Sequence, residues 1–187
     1  MTSSILTPPV GPRDHVRGPS DAPITLVEYG DYECPRCGQA YRILQQVLEE
    51  VGDRVRFVYR NFPLAEAHSH AAAAAEAAES VAVHGGEDAF WAMHDLLYDN
   101  QDALQHDDLI AYAAAAGVDP VAIADDLASH SRSDRVRRDF HSGGRSGVTR
   151  APTFFVNGRR FDGDWTDSSA LADALHDGTP GHTFVTH

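Results

Sequence analysis

Cysteine is almost missing from this chain, with two among 187 residues. Two cysteines cannot build the multi-bridge framework of small secreted domains, and in a reducing compartment such a pair serves catalysis or metal binding more often than stapling. Long apolar runs are missing too. No stretch approaches the ~18 residues that cross a bilayer, and Met1 to Pro12 offers neither a basic n-region nor an apolar h-region, so a cytoplasmic location is expected. Basic residues are scarce, 15 against 28 acidic, for a net charge of -13. Non-specific binding to nucleic acid or to an anionic membrane demands a basic footprint, so neither is an expected partner.

What is present centres on Ile24-Thr-Leu-Val-Glu-Tyr-Gly-Asp-Tyr-Glu-Cys34-Pro-Arg-Cys37. Ile24, Leu26, Val27 and Tyr29, bounded by Pro23 and Gly30, read as a short buried strand. Cys37, Tyr41, Leu44, Leu48 and Val51 then advance by four, three, four and three residues, the spacing of one helix face. Both cysteines therefore fall at a helix start, where unpaired backbone N–H groups and the positive end of the macrodipole favour an anion. Cys34 is the expected low-pKa thiol, with Arg36 adding charge of the same sense. Pro35, at or beside the first helical position, pre-sets φ. Cys37, one turn deeper on the apolar stripe, is the expected resolving thiol.

Strand, acid, and Cys-Pro-x-Cys at a helix start resemble the thioredoxin-fold disulfide oxidoreductases, specifically their DsbA-like branch. Glu28 stands six residues before Cys34, the position at which that family carries a buried acid that relays a proton to or from the second thiol. Gly147-Val-Thr-Arg-Ala-Pro152-Thr-Phe-Phe-Val-Asn-Gly158 is similar to its second signature. The resemblance implies a cis Pro152 facing the cysteines and an Ala151 backbone free to pair with an extended substrate. Phe90 to Tyr98, with Asn100-Gln101, looks like a helix of the insertion found in this branch. The implied activity is thiol-disulfide exchange on a cysteine-containing polypeptide or a low-molecular-weight thiol, with a separate redox partner to recycle the pair and no cofactor. Arg36 stands where the most studied DsbA proteins have His, and Ala151 where relatives often have Thr or Val. The net direction, oxidation or reduction, is therefore left open.

The implied fold class is α/β, a thioredoxin-like mixed sheet flanked by helices and carrying an all-helical insertion. Residues 1–22, with four prolines, read as a mobile arm that orders near Asp14 to Gly18. Residues 23–63 and 146–178 form the sheet-containing domain, 64–145 the insertion, and 179–187 a tail. Arg54 to Arg60 alternates as a second strand, completing a parallel βαβ unit. Within the insertion, helices are expected over Ala71 to Glu79, around Phe90 to Tyr98, after Asp107, from Asp119-Pro120, and from Ser133 to a frayed end at Gly143-Gly144. Asn157-Gly158 predicts a hairpin turn, and Thr166 or Asp167 caps a last helix. The same cysteines admit a second reading, a non-catalytic redox sensor or zinc-binding partner protein in which His68 and His70 complete a Cys2His2 set. Residues two apart on a helix diverge, which weighs against that set.

Overall fold

The computed structural model describes residues 4–178, so the expected tail, 179–187, lies outside the described residues. Five strands and six helices form the expected α/β architecture: β1 (His15–Arg17), β2 (Ile24–Gly30), α1 (Pro35–Val51), β3 (Val55–Asn61), α2 (Ala71–Asp99), α3 (His106–Ala115), α4 (Pro120–Ser129), α5 (Ser133–Arg145), β4 (Thr153–Val156), β5 (Arg159–Arg160) and α6 (Ser168–Asp177). The sheet runs in the order β1-β3-β2-β4-β5. β2 and β3 are parallel, from Ile24 opposite Val55 to Gly30 opposite Asn61, and the other pairs are antiparallel. α1 supplies the crossover, burying Cys37, Tyr41, Leu44, Val47 and Val51, and ends at Gly52, whose φ of 58° suits glycine. The Asn157-Gly158 turn has positive φ at both residues, 48° and 79°, as a two-residue hairpin of this hand requires.

The antiparallel pairing of β2 with β4 sets Thr153 opposite Tyr29 and Phe154 opposite Glu28. The start of β4 and the end of β2 thus lie at one end of the sheet. The segment before Thr153 and the segment after Gly30 meet there, although more than a hundred residues separate them in sequence.

The first residues are not the mobile arm expected of 1–22, since the described part is tied down from Ser4 onward. The Arg160 amide donates to the Ser4 carbonyl and the Leu6 amide to the Gly158 carbonyl, both at 2.8 Å, and Leu6 is buried. Thr7 N donates to Ser146 Oγ at 2.8 Å. Two of the prolines that suggested a mobile arm instead present carbonyls to a buried cation: Arg60 donates to the Pro8 and Pro9 carbonyls and pairs with Asp14 at 2.8 Å. An arginine buried this deeply needs every donor satisfied, and the arm supplies acceptors that no local sequence pattern reveals.

The Ala71 and Phe90 segments are two helices, as expected, that meet at a kink at Gly86 within the span α2, where φ of 80° and ψ of -171° are not helical. The helices of 64–145 differ from expectation in two places. α3 starts after Gln105 rather than Asp107, with the Asp108 side chain accepting from the Gln105 amide in a capping box. α5 does not fray at Gly143-Gly144 but continues to Arg145, and Gly143 is a close-approach site. A Cβ there would lie 2.7 Å from two ring carbons of Phe62 and 3.2 Å from Tyr29. Gly143→Ala is accordingly expected to cost about 1–3 kcal/mol by overpacking this aromatic junction, read as a lower midpoint in urea denaturation.

Candidate active site

Cys34 is the N-cap of α1, in extended conformation (φ -72°, ψ 121°), and Pro35 occupies the first turn. From there the chain presents the Arg36 and Cys37 backbone amides to the Cys34 sulfur, and the Cys37 thiol donates a hydrogen bond to it. That thiol is the largest cause, and with the two amides it outweighs burial and the nearby Asp31 charge, pulling Cys34 down to about 6 from an ordinary value of 9.0. Cys37 goes the other way. It is fully buried, and burial first, then its donation to Cys34 and the charge of Glu28, push its thiol well above the ordinary range. One sulfur is an anion at neutral pH and its neighbour holds a proton.

The Ala151–Pro152 peptide is cis. It brings the Ala151 carbonyl to 3.7 Å from Cys34 Sγ, close enough to accept from the thiol when Cys34 is protonated. Glu28 lies on β2 with almost no exposure, and burial, followed by the charge of Cys34, pushes its carboxyl up to about 8. Its Oε1 has no hydrogen-bond partner. A cavity of about 180 Å3 reaches it, lined also by Tyr41, Gln45 and His94. His94 is itself buried, and burial drives it well below the imidazole range, so it is neutral.

The structure thus brings Cys34, Pro35, Cys37, Glu28, Ala151 and Pro152 to one end of the sheet. Arg36 belongs to the site in a different way from the sequence expectation. Its backbone amide faces the sulfur, while its guanidinium lies over the Trp165 ring, 5.4 Å from the centroid.

Sequence reasoning missed two anchors. Asp31, buried, accepts from the Glu33 and Leu64 amides and binds His68 Nδ1, each at 2.8 Å, fixing the turn before Cys34 to the loop after β3. Gln101, in the loop after α2, donates to the carbonyls of Tyr32 and Cys34 at 2.9 Å. Its amide fills the space beside Gly38, where a Cβ would lie 1.9 Å from Gln101 Oε1, which is why α1 has glycine one residue after Cys37. The Asp in a turn was visible in sequence, but nothing in the periodicity marks Gln101 as a neighbour of the cysteines.

The histidines considered as metal ligands are held elsewhere, His68 by Asp31 and His70 by Glu33 at 3.0 Å. Among the described residues, no group of three or more His, Cys, Asp or Glu side chains converges to hold a metal ion.

Comparison with known proteins follows the same lines. A family model described as thioredoxin matches residues 11–175. The oxidised BdbD structure from Bacillus subtilis superposes with a TM-score of 0.83 over 95% of this chain and 97% of that one, at 24% identity. MdbA, a thiol-disulfide oxidoreductase from Corynebacterium diphtheriae, gives 0.69 over 86% and 88%, at 15% identity. In sequence, the chain is 46% identical over 168 residues to a Na(+)/H(+) antiporter, NhaA 3, of Salinispora tropica, covering 89% of this chain and 25% of the antiporter. The chain spans about a quarter of the length of the curated relatives it matches. No described helix is long and apolar enough to cross a membrane. With a family model matched over most of its length, a thioredoxin-like sheet, and helices arranged as in DsbA-type structures, the chain belongs to the thioredoxin family.

Proposed function

We propose that this protein is a dithiol-disulfide oxidoreductase that acts on cysteine-containing polypeptides or low-molecular-weight thiols through Cys34 and Cys37. One observation carries the reading: two neighbouring sulfurs have opposite protonation preferences, the outer one lowered to about 6 and the inner one raised. An exchange catalyst needs this asymmetry, a thiolate to attack and a thiol in reserve. From the antiporter relatives the reading takes only the stretch they share with this chain.

In the reducing direction, the Cys34 thiolate attacks one sulfur of a substrate disulfide. The substrate S–S bond breaks, its departing thiolate takes a proton, and a Cys34–substrate disulfide forms. Burial is the larger cause holding the Glu28 carboxyl up and remains; the attack removes the smaller, the Cys34 charge, so the ionised form is favoured more than before, and once Glu28 has released its proton to solvent it accepts the Cys37 proton. Cys37 then attacks Cys34 Sγ and expels the second substrate thiolate. The substrate gains two electrons and the pair becomes a disulfide, which a separate redox partner must reduce again. Run backwards, the same steps oxidise a substrate dithiol. The Ala151 backbone beside Cys34 supports binding of the substrate as an added strand, with affinity from main-chain hydrogen bonds.

Equilibration with mixtures of reduced and oxidised glutathione tests the reading. Cys34 and Cys37 should oxidise together in a single two-electron transition. Independent glutathionylation of two thiols, or stoichiometric zinc released on thiol modification, contradicts it.

A further inference from the structure

A second concavity, with a volume of about 210 Å3, is lined by Ala151, whose carbonyl lies 3.7 Å from Cys34 Sγ. It is bounded by Arg36 on α1, by the Arg150 to Phe154 segment with its cis peptide, and by the loop from Phe161 to Trp165. Its charged lining is Arg36, Arg150, Arg160, Asp162 and Asp164.

Three of these five are committed within the protein. Arg160 pairs with Asp162 at 3.3 Å and donates to the Gly147 carbonyl at 2.9 Å. Asp164 Oδ1 accepts from the Thr166 amide and hydroxyl, at 2.9 and 2.6 Å. Arg36 and Arg150 remain, both exposed, and among the described residues neither forms an ion pair with a carboxylate. Arg36 is held in place by the face of Trp165, and its charge reaches Asp164, whose carboxyl it helps hold below the usual range after the hydrogen bonds from Thr166. Two exposed guanidinium groups without a carboxylate ion pair thus line a pocket that shares Ala151 with the Cys34 sulfur contact, in a protein whose net charge is -13. Guanidinium is the cation whose fork of donors matches a carboxylate.

We propose that this pocket is a substrate subsite for a carboxylate, so that the preferred substrates carry an acidic group next to the cysteine that exchanges with Cys34. The inference rests on the oxidoreductase reading and deepens it. A substrate lying along Ala151 has its sulfur at Cys34, and a flanking Asp or Glu side chain reaches Arg36 and Arg150, its methylenes against Trp165. The acidic group selects the substrate while the backbone pairing holds it.

The test measures second-order exchange rates of the reduced protein with peptide disulfides that differ only in carrying Glu, Gln or Lys at each position flanking the cysteine. A parallel arm uses small disulfides: anionic dithiodipropionate, neutral hydroxyethyl disulfide and cationic cystamine. An exposed charge-assisted contact is worth roughly three- to tenfold in rate. Glu peptides should exceed Gln peptides by about that factor, with Lys peptides slowest. The ratio should fall to about one in the Arg36→Gln/Arg150→Gln double variant, and Arg150→Glu should invert it. The double variant also removes any intrinsic reactivity difference between the peptides from the comparison. Preference in both arms identifies a carboxylate recognised without a peptide backbone, and preference in the peptide arm alone identifies a polypeptide substrate; both support the subsite. Equal rates for all disulfides, or a ratio that survives in the double variant, overturn the subsite while leaving the oxidoreductase reading intact. No exchange with any disulfide overturns both.

Discussion

Cys34→Ser should reduce disulfide exchange to the uncatalysed background, a loss on the order of 10^3-fold or more, because a serine hydroxyl in the same place is neither ionised nor able to form the covalent intermediate. Cys37→Ser should behave differently. Cys34 keeps the backbone amides of Arg36 and Cys37's replacement, so the first attack persists, but nothing displaces the captured substrate. Mixed disulfides then accumulate, visible as a mass increase equal to one substrate and reversed by dithiothreitol. The serine also replaces the thiol whose hydrogen bond is the largest cause lowering Cys34, so the pH dependence of trapping reports how well the hydroxyl stands in for it. Equal activity of wild type and Cys34→Ser in dithiothreitol-driven insulin reduction would contradict the assignment.

Glu28→Gln should make the reduced protein more stable and slower. Below about pH 4.5, the ordinary value of a glutamate, the carboxyl is protonated in folded and unfolded chains alike and contributes no difference. As pH rises from there toward about 8, the unfolded chain releases a proton that the folded chain retains, and folding loses roughly 1.4 kcal/mol per pH unit. At pH 7 this amounts to about 3 kcal/mol, of which burying the glutamine amide takes back about 1 kcal/mol. The variant should therefore gain about 2 kcal/mol at pH 7 and nothing near pH 4, in urea denaturation of the reduced protein. Its resolving step should slow on the order of 10^2-fold, since no carboxylate is present to receive the Cys37 proton. A variant of unchanged stability at both pH values would mean that the carboxyl is hydrated in the folded state.

The parts of this site legible in sequence are those set by local rules. A strand ending at Gly30 and an apolar stripe from Cys37 to Val51 locate the cysteine pair at a helix start, because both patterns follow from nearest-neighbour geometry. The convergence of Pro152 on Cys34 has no such local signature. It follows from the β2–β4 register, which sets Phe154 opposite Glu28, and here only the family resemblance anticipated it. Gln101 and the long-range part of Asp31 were missed for the same reason: the Tyr32 and Cys34 carbonyls, the Leu64 amide and His68 are brought near only by the tertiary fold. The first residues were misjudged because proline content describes what a segment cannot do by itself. The acceptors it offers Arg60 appear only once β3 is in place.

The role of Arg36 shows how a charge in a sequence can mislead about its target. Its position between the cysteines suggests direct stabilisation of the thiolate. In the structure the side chain stacks on Trp165 and borders the neighbouring pocket, and the amide beneath it addresses the sulfur. Two amides and one thiol are short-range, aligned donors, whereas an exposed guanidinium is screened by solvent.

The account depends most directly on the ionisation of Cys34. The rate of alkylation of the reduced protein by iodoacetamide, followed from pH 4 to pH 10 with the modified cysteine identified by mass, reads it without any substrate. The predicted result is a single rise centred near pH 6, confined to Cys34, with Cys37 unmodified across that range. A rise centred near 9, or equal labelling of both cysteines, would contradict it.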